Sequence, residues 1–161
     1  MKKNIIWIIL ALVGVLTFCF FNFPYLSTHS GEYSSSINGY AVLGKWADGA
    51  LGGICALLQL LIWCISVFIA LFAIIKFLGE ILGKPVPESF CGVSIKGLGE
   101  LGLLIHGIFS VMLLFFAIIH TVKLSGYGIR YAVNIGLILS VSQSVAFNIY
   151  YFIFVKILKK S

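Results

Sequence analysis

The chain has 161 residues, 61% of them hydrophobic and 10% charged, and its mean hydropathy is +1.12. Soluble domains run nearer half apolar and a quarter charged, so a soluble globular domain, a disordered chain and a collagen-like chain are excluded. The formal net charge is +6. The basic residues flank apolar runs and form no dense stretch that could track phosphates, so they read as topogenic charge facing anionic lipid, and nucleic acid is not an expected partner.

A bilayer core of about 30 Å needs about 20 apolar residues in a helix. Helix one is expected over about 5–22, after Lys2 and Lys3. That start resembles a signal peptide, and Cys19 could suggest lipidation. The bulky Phe18 before it and the lack of a small-x-small cleavage site favour an uncleaved span instead.

The outer loop, 23–49, is polar and Ser-rich. Within it Asn38-Gly39 is a type I′ turn signal. Tyr33 and Ile37 are expected on one arm of a β-hairpin and Tyr40 on the other. A lone hairpin is marginal in water, so this one needs helix ends or a neighbouring subunit to pack on.

Helix two is expected over about 51–76, with Gln59 as its strongly polar residue. The inner loop, 77–99, contains Gly83-Lys84-Pro85-Val86-Pro87, where a continuous helix is forbidden. Helix three is expected over about 100–121 and helix four, the most polar, over about 131–156. With the N-terminus inside, Lys2, Lys3, Lys76, Lys84, Lys96, Lys156, Lys159 and Lys160 face the cytoplasm, against Lys45, Lys123 and Arg130 outside.

The expected fold is therefore an all-α integral membrane protein. It is a single domain, 1–161, of four transmembrane helices with both termini in the cytoplasm and a small β-hairpin in the first outer loop. The layout is similar to that of small tetraspan proteins with a β-containing first loop, such as claudins. Their loop signature is missing, since Trp46 is the loop's only Trp and no Cys lies there, so no family is assigned.

Polar groups inside a membrane are costly and face protein or water. Antiparallel helices three and four, with midplanes near Ser110 and near Gln143 or Ser144, bring His106 level with Asn148, Ser110 with Ser144, and His120 with Asn134. At about 100° per residue His106, Ser110, Leu113, Ala117 and His120 share one face. This polar seam reads as interhelical hydrogen bonding. The competing reading is a proton relay, which would normally include a deep acid. None exists, and Glu100 at the inner end of helix three pairs more naturally with Lys96.

Ala132, Gly136, Ser140 and Ser144 recur every four residues, a small-residue ridge that permits close helix contact. Gln59 lies at about the depth of Ser140 and could join it. The ridge is expected to be an assembly surface.

Cys19, Cys55 and Cys64 fall in apolar stretches and Cys91 in a loop, with no CxxC spacing. No catalytic residue, metal site or cofactor site is identified. The expected function is a non-catalytic, pore-lining or scaffolding subunit of an oligomeric assembly, partnered by the bilayer and by copies of itself or another membrane protein. The alternative is a stand-alone binding or protective protein, such as a polytopic immunity factor against a membrane toxin. The Lys- and Ile-rich, Arg-poor composition points to an AT-rich bacterial genome.

Overall fold

The computed structural model describes residues 5–45, 49–84, 86–90, 92–125 and 128–157. Its elements in chain order are α1 (Ile5–Phe21), β1 (Pro24–Ser30), β2 (Tyr33–Asn38), α2 (Gly39–Lys45), α3 (Gly49–Ile81), β3 (Ser89–Phe90), β4 (Val93–Ser94), α4 (Ile95–Leu124), β5 (Ile129–Val133) and α5 (Ile135–Ile149). A π-helical stretch, Tyr150–Ile157, continues α5. The chain is mostly helical, with a small antiparallel sheet.

Among the described residues three helices are long and apolar enough to cross a membrane: Gly49–Ile81, Ile95–Leu124 and Ile135–Ile157. They mark a multi-pass membrane protein. The apolar α1 has 17 residues, about 25 Å at 1.5 Å per residue.

The helix ends follow local chemistry. α3 runs past Lys76 to Ile81, beyond the expected stop. It ends where Gly83 takes φ +64. There the Gly83 amide donates to the Glu80 carbonyl and the Lys84 amide to the Gly79 carbonyl, the Schellman pattern that satisfies orphan carbonyls. α4 starts five residues earlier than expected because Ser94 caps it, its Oγ accepting from the Gly97 amide at 3.3 Å.

The sheet departs from an all-α fold. Its strand order is β2-β1-β5. The hairpin exists, but its turn is at Gly31-Glu32, where Gly31 has φ +58, and its arms are β1 and β2. Tyr33 and Ile37 lie in β2, paired with Ser30 and Leu26. Asn38-Gly39 is not the turn. Asn38 Oδ1 accepts from the Ala41 amide at 2.9 Å and so starts α2, and Tyr40 lies in that helix. Gly39 is needed for closeness: a Cβ there would meet the Phe21 ring at 2.6 Å.

The third strand, β5, comes from the segment expected to open helix four. It pairs antiparallel with β1, Leu26 opposite Val133 and Ser30 opposite Ile129. Helix four therefore begins at Ile135, with Asn134 as N-cap.

Two apolar clusters fill the bundle. One, at the sheet end, contains Phe21, Tyr25, Cys55, Ile62, Leu113 and Val141. The other, at the opposite end, contains Trp7, Leu10, Val13, Ile69, Leu103 and Tyr151. A polar layer separates them. Ile54, Leu57, Phe68, Leu71, Val111, Phe115 and other apolar side chains on the outer faces are exposed, as expected of a lipid-facing surface.

Candidate functional site

The polar layer centres on His106 of α4, which is fully buried together with Thr17 of α1, Ser66 of α3 and Ser144 of α5. His106 Nδ1 lies 2.6 Å from Ser144 Oγ. Its Nε2 lies 3.0 Å from Ser66 Oγ and 3.3 Å from Thr17 Oγ1. One imidazole thus touches a hydroxyl on each of the other three bundle helices.

Proton counting assigns the roles. Ser66 Oγ already donates to the Ile62 carbonyl at 2.8 Å. Thr17 Oγ1 donates to the Val13 carbonyl at 2.7 Å and accepts from Gln143 Nε2 at 2.8 Å. With their protons committed, both hydroxyls present lone pairs to Nε2, so Nε2 carries the ring hydrogen. Nδ1 then accepts from Ser144. A neutral imidazole has one donor and one acceptor nitrogen, and here each has its complement. The layer closes without a charge.

Ser144 and His106 have the atoms of a nucleophile and its base. Both are fully buried, and the other ring nitrogen meets hydroxyls where an orienting carboxylate would be needed. Among the described residues no group of three or more His, Cys, Asp or Glu could hold a metal.

The seam residues lie together on α4 and α5, but with other partners than expected. His106 meets Ser144, and Asn148 donates to the Leu103 and Ser144 carbonyls at 2.9 Å each. Gly107 makes room for Asn148, since a Cβ there would lie 2.5 Å from its Nδ2. Ser110 donates to the His106 carbonyl on its own helix at 2.8 Å. His120 is buried. Asn134 Oδ1 accepts from the Ile135 amide at 2.7 Å and serves the cap.

The ridge is internal. Ala132 is in β5, opposite Ser27. Gly136, Ser140 and Ser144 are buried within the one chain. A Cβ on Gly136 would meet the Pro24 carbonyl oxygen at 2.7 Å, Tyr25 Cδ2 at 2.8 Å and the Phe23 carbonyl oxygen at 2.9 Å. The ridge therefore receives β1 rather than a second subunit. Ser140 lies beside the buried Tyr25 hydroxyl, and burial pushes that phenol above its ordinary range. Gln59 does not serve the ridge either: its Nε2 donates to the Gly39 carbonyl and ties α2 to α3.

Thr17, Ser66 and Gln143 escaped the depth matching because it compared only helices three and four. Extending it to every lone hydroxyl in an apolar span would have found the first two.

At the other end of the bundle Glu100 accepts from Lys156 Nζ at 2.5 Å and from the Tyr151 hydroxyl at 2.7 Å. Lys96 is at 3.9 Å, so Lys156 replaces it as the principal partner. Cys19, Cys55 and Cys64 are free, with Cys19 exposed and Cys55 buried. Cys91, like Trp46 and Pro85, lies outside the described residues. No family model, no curated sequence and no solved structure matches the chain.

Proposed function

We propose that the chain is a four-span membrane protein, both termini in the cytoplasm, that acts as a stand-alone, non-catalytic binding protein. Its outer sheet would receive an extended segment of another polypeptide. The observation that carries this reading is the internal placement of the Gly136–Ser140–Ser144 ridge. A homo-oligomeric, pore-lining subunit drew its support from that ridge and from the polar seam. Both are engaged within one chain: Gly136 packs on β1, and both ring nitrogens of His106 meet hydroxyls of the same chain.

The sheet keeps an open edge. β2 reads Tyr-Ser-Ser-Ser-Ile-Asn, and its residues from Tyr33 to Ser36 are exposed. It carries neither a charge nor a proline, the devices that usually blunt an edge strand. The other edge is defended: the Tyr131 amide donates to Ser125 Oγ at 2.9 Å, and β5 carries Arg130. An unblunted edge is what strand addition uses, with main-chain bonds supplying affinity. A protective protein of immunity-factor type fits this description.

The mass of the purified chain in mild detergent and in nanodiscs tests the reading. A monomer is expected, and a discrete closed oligomer in both media refutes it in favour of the assembly subunit. Orientation is tested by single-cysteine labelling in a cysteine-free background. A cysteine replacing Ser35 should react from outside intact cells, and reaction only after permeabilisation would invert the topology.

A further inference from the structure

A cleft of about 380 Å³ opens at the end of the bundle away from the sheet, within the range of about 300–1,000 Å³ typical of small-molecule sites. Trp7 from the start of α1, Lys76 and Glu80 from α3, Glu88 from the following loop, and Ile95 and Lys96 from α4 line it. Its depth is set by sequence. α3 has no charged residue before Lys76, and after Lys96 and Glu100 α4 has none until Lys123. Lys76 and Lys96 therefore stand where the uncharged spans stop, which is the headgroup level of a bilayer. Trp is enriched at that level, and lysine stems reach toward it.

The charges of the cleft differ in how far they are committed. Glu80 is already engaged. Lys96 is 3.9 Å from Glu100, whose carboxylate is held more closely by Lys156 and Tyr151. The Glu88 backbone carbonyl accepts from the Ile95 amide at 3.0 Å, which fixes that residue at the cleft while its side chain stays exposed. Two ammoniums thus flank an interfacial cleft with a carboxylate at its rim.

We propose that this cleft holds a phosphoethanolamine headgroup, the phosphate between Lys76 and Lys96 and the amine against Glu88, supplied by a membrane phospholipid. Ammoniums are strong donors to phosphate oxygens, and an ethanolamine N–H can donate to a carboxylate. A phosphatidylcholine headgroup has the charge but no N–H for Glu88. A phosphatidylglycerol headgroup brings no cation to Glu88. The proposal depends on the chain spanning a membrane, and on neither its orientation nor the use of the sheet.

The test uses the full chain in nanodiscs of equal phosphatidylethanolamine, phosphatidylcholine and phosphatidylglycerol, with retained lipid read by native mass spectrometry after detergent extraction. Phosphatidylethanolamine should be enriched severalfold over both others. Glu88→Gln should bring it down to the level of phosphatidylcholine with unchanged circular dichroism. Lys76→Gln should lower retention of phosphatidylethanolamine and phosphatidylcholine together. Equal retention of the three lipids by the wild type, or an undiminished preference in Glu88→Gln, overturns the proposal, and Glu88 is exposed enough for its variant to fold. Soluble phosphoethanolamine at millimolar concentration separates the two sources of the headgroup. It should leave the lipid in place, and displacement would reassign the cleft to the free compound. Failure here leaves the monomer and labelling results for the binding-protein reading untouched.

Discussion

The His106–Ser144 contact can be measured directly with a double-mutant cycle. His106→Ala removes a fully buried ring, takes the acceptor from the Ser144 hydroxyl and takes the ring N–H from the Ser66 and Thr17 oxygens. By analogy with large-to-small core substitutions, its single-variant loss is about 2–4 kcal/mol. Ser144→Ala removes less volume and one bond. The cycle cancels these packing losses and isolates the bond itself. Interhelical hydrogen bonds in membranes average about 0.6 kcal/mol and reach about 1.7. A contact of 2.6 Å between fully buried partners belongs near the upper end, so the expected coupling is about 1–1.7 kcal/mol. The His106–Ser66 cycle should give less, because that bond is 3.0 Å long and Nε2 is shared with Thr17. The assay is reversible unfolding of the four variants of each cycle in mixed micelles, followed by circular dichroism. Additivity within about 0.3 kcal/mol would refute the assignment of Ser144 as donor to Nδ1.

Gly136→Ala should destabilise by about 1–3 kcal/mol, the cost of overpacking against the rigid Phe23 and Pro24 carbonyls, whereas Gly53→Ala, with nothing within 4 Å, should be neutral or stabilising by up to about 1 kcal/mol. Thermal melts compare the two, and an equal response would remove the case for an internal ridge. Tyr25 ionises above the ordinary phenol range. The unfolded chain therefore releases this proton first as pH rises, so Tyr25 contributes no loss of stability below pH about 10 and a progressive loss above it. An ultraviolet titration should find the late-ionising absorbance smaller by one tyrosine in Tyr25→Phe than in the wild type; an undiminished late phase in Tyr25→Phe would contradict the assignment. Proteoliposomes should show the same proton permeability with wild type and with His106→Ala, because both His106 ring nitrogens are engaged by hydroxyls in a fully buried layer, and a change in flux would revive the relay.

Composition and apolar periodicity made the three long apolar helices legible. The buried face of α4, with His106, Ser110, Leu113, Ala117 and His120, follows from 3.6-residue spacing alone, and all five are buried. The start of helix four was not legible. Ile129, Tyr131, Ala132 and Val133 continue an apolar run, and what makes them a strand is β1, a partner remote in sequence. That misplacement put Asn134 in the seam, where it is a helix cap, and turned an internal ridge toward an imagined neighbour. The small residues were recognised correctly as a site of close approach, but the approaching backbone is a strand, and helix-packing motifs do not describe it. Asn38-Gly39 shows a related ambiguity: the dipeptide suits a hairpin turn and a helix cap equally, and the Gln59 bond to the Gly39 carbonyl and the Phe21 ring beside Gly39 favour the cap.

The pairing of β1 with β5 has a consequence for biogenesis. β1 is synthesised directly after the first helix, whereas β5 emerges only after α3 and α4 have been made. During translation the central strand has just one of its two neighbours, and the Tyr25 carbonyl lacks the Asn134 amide that it eventually accepts from at 2.8 Å. The sheet can be completed only once Ile129–Val133 has been made, after α4 and before α5. Chains stopped before Ile129 would display an unpaired strand beside the membrane, the kind of surface on which chaperones and quality-control proteases act. Sheet closure thus reports that α3 and α4 have already been made.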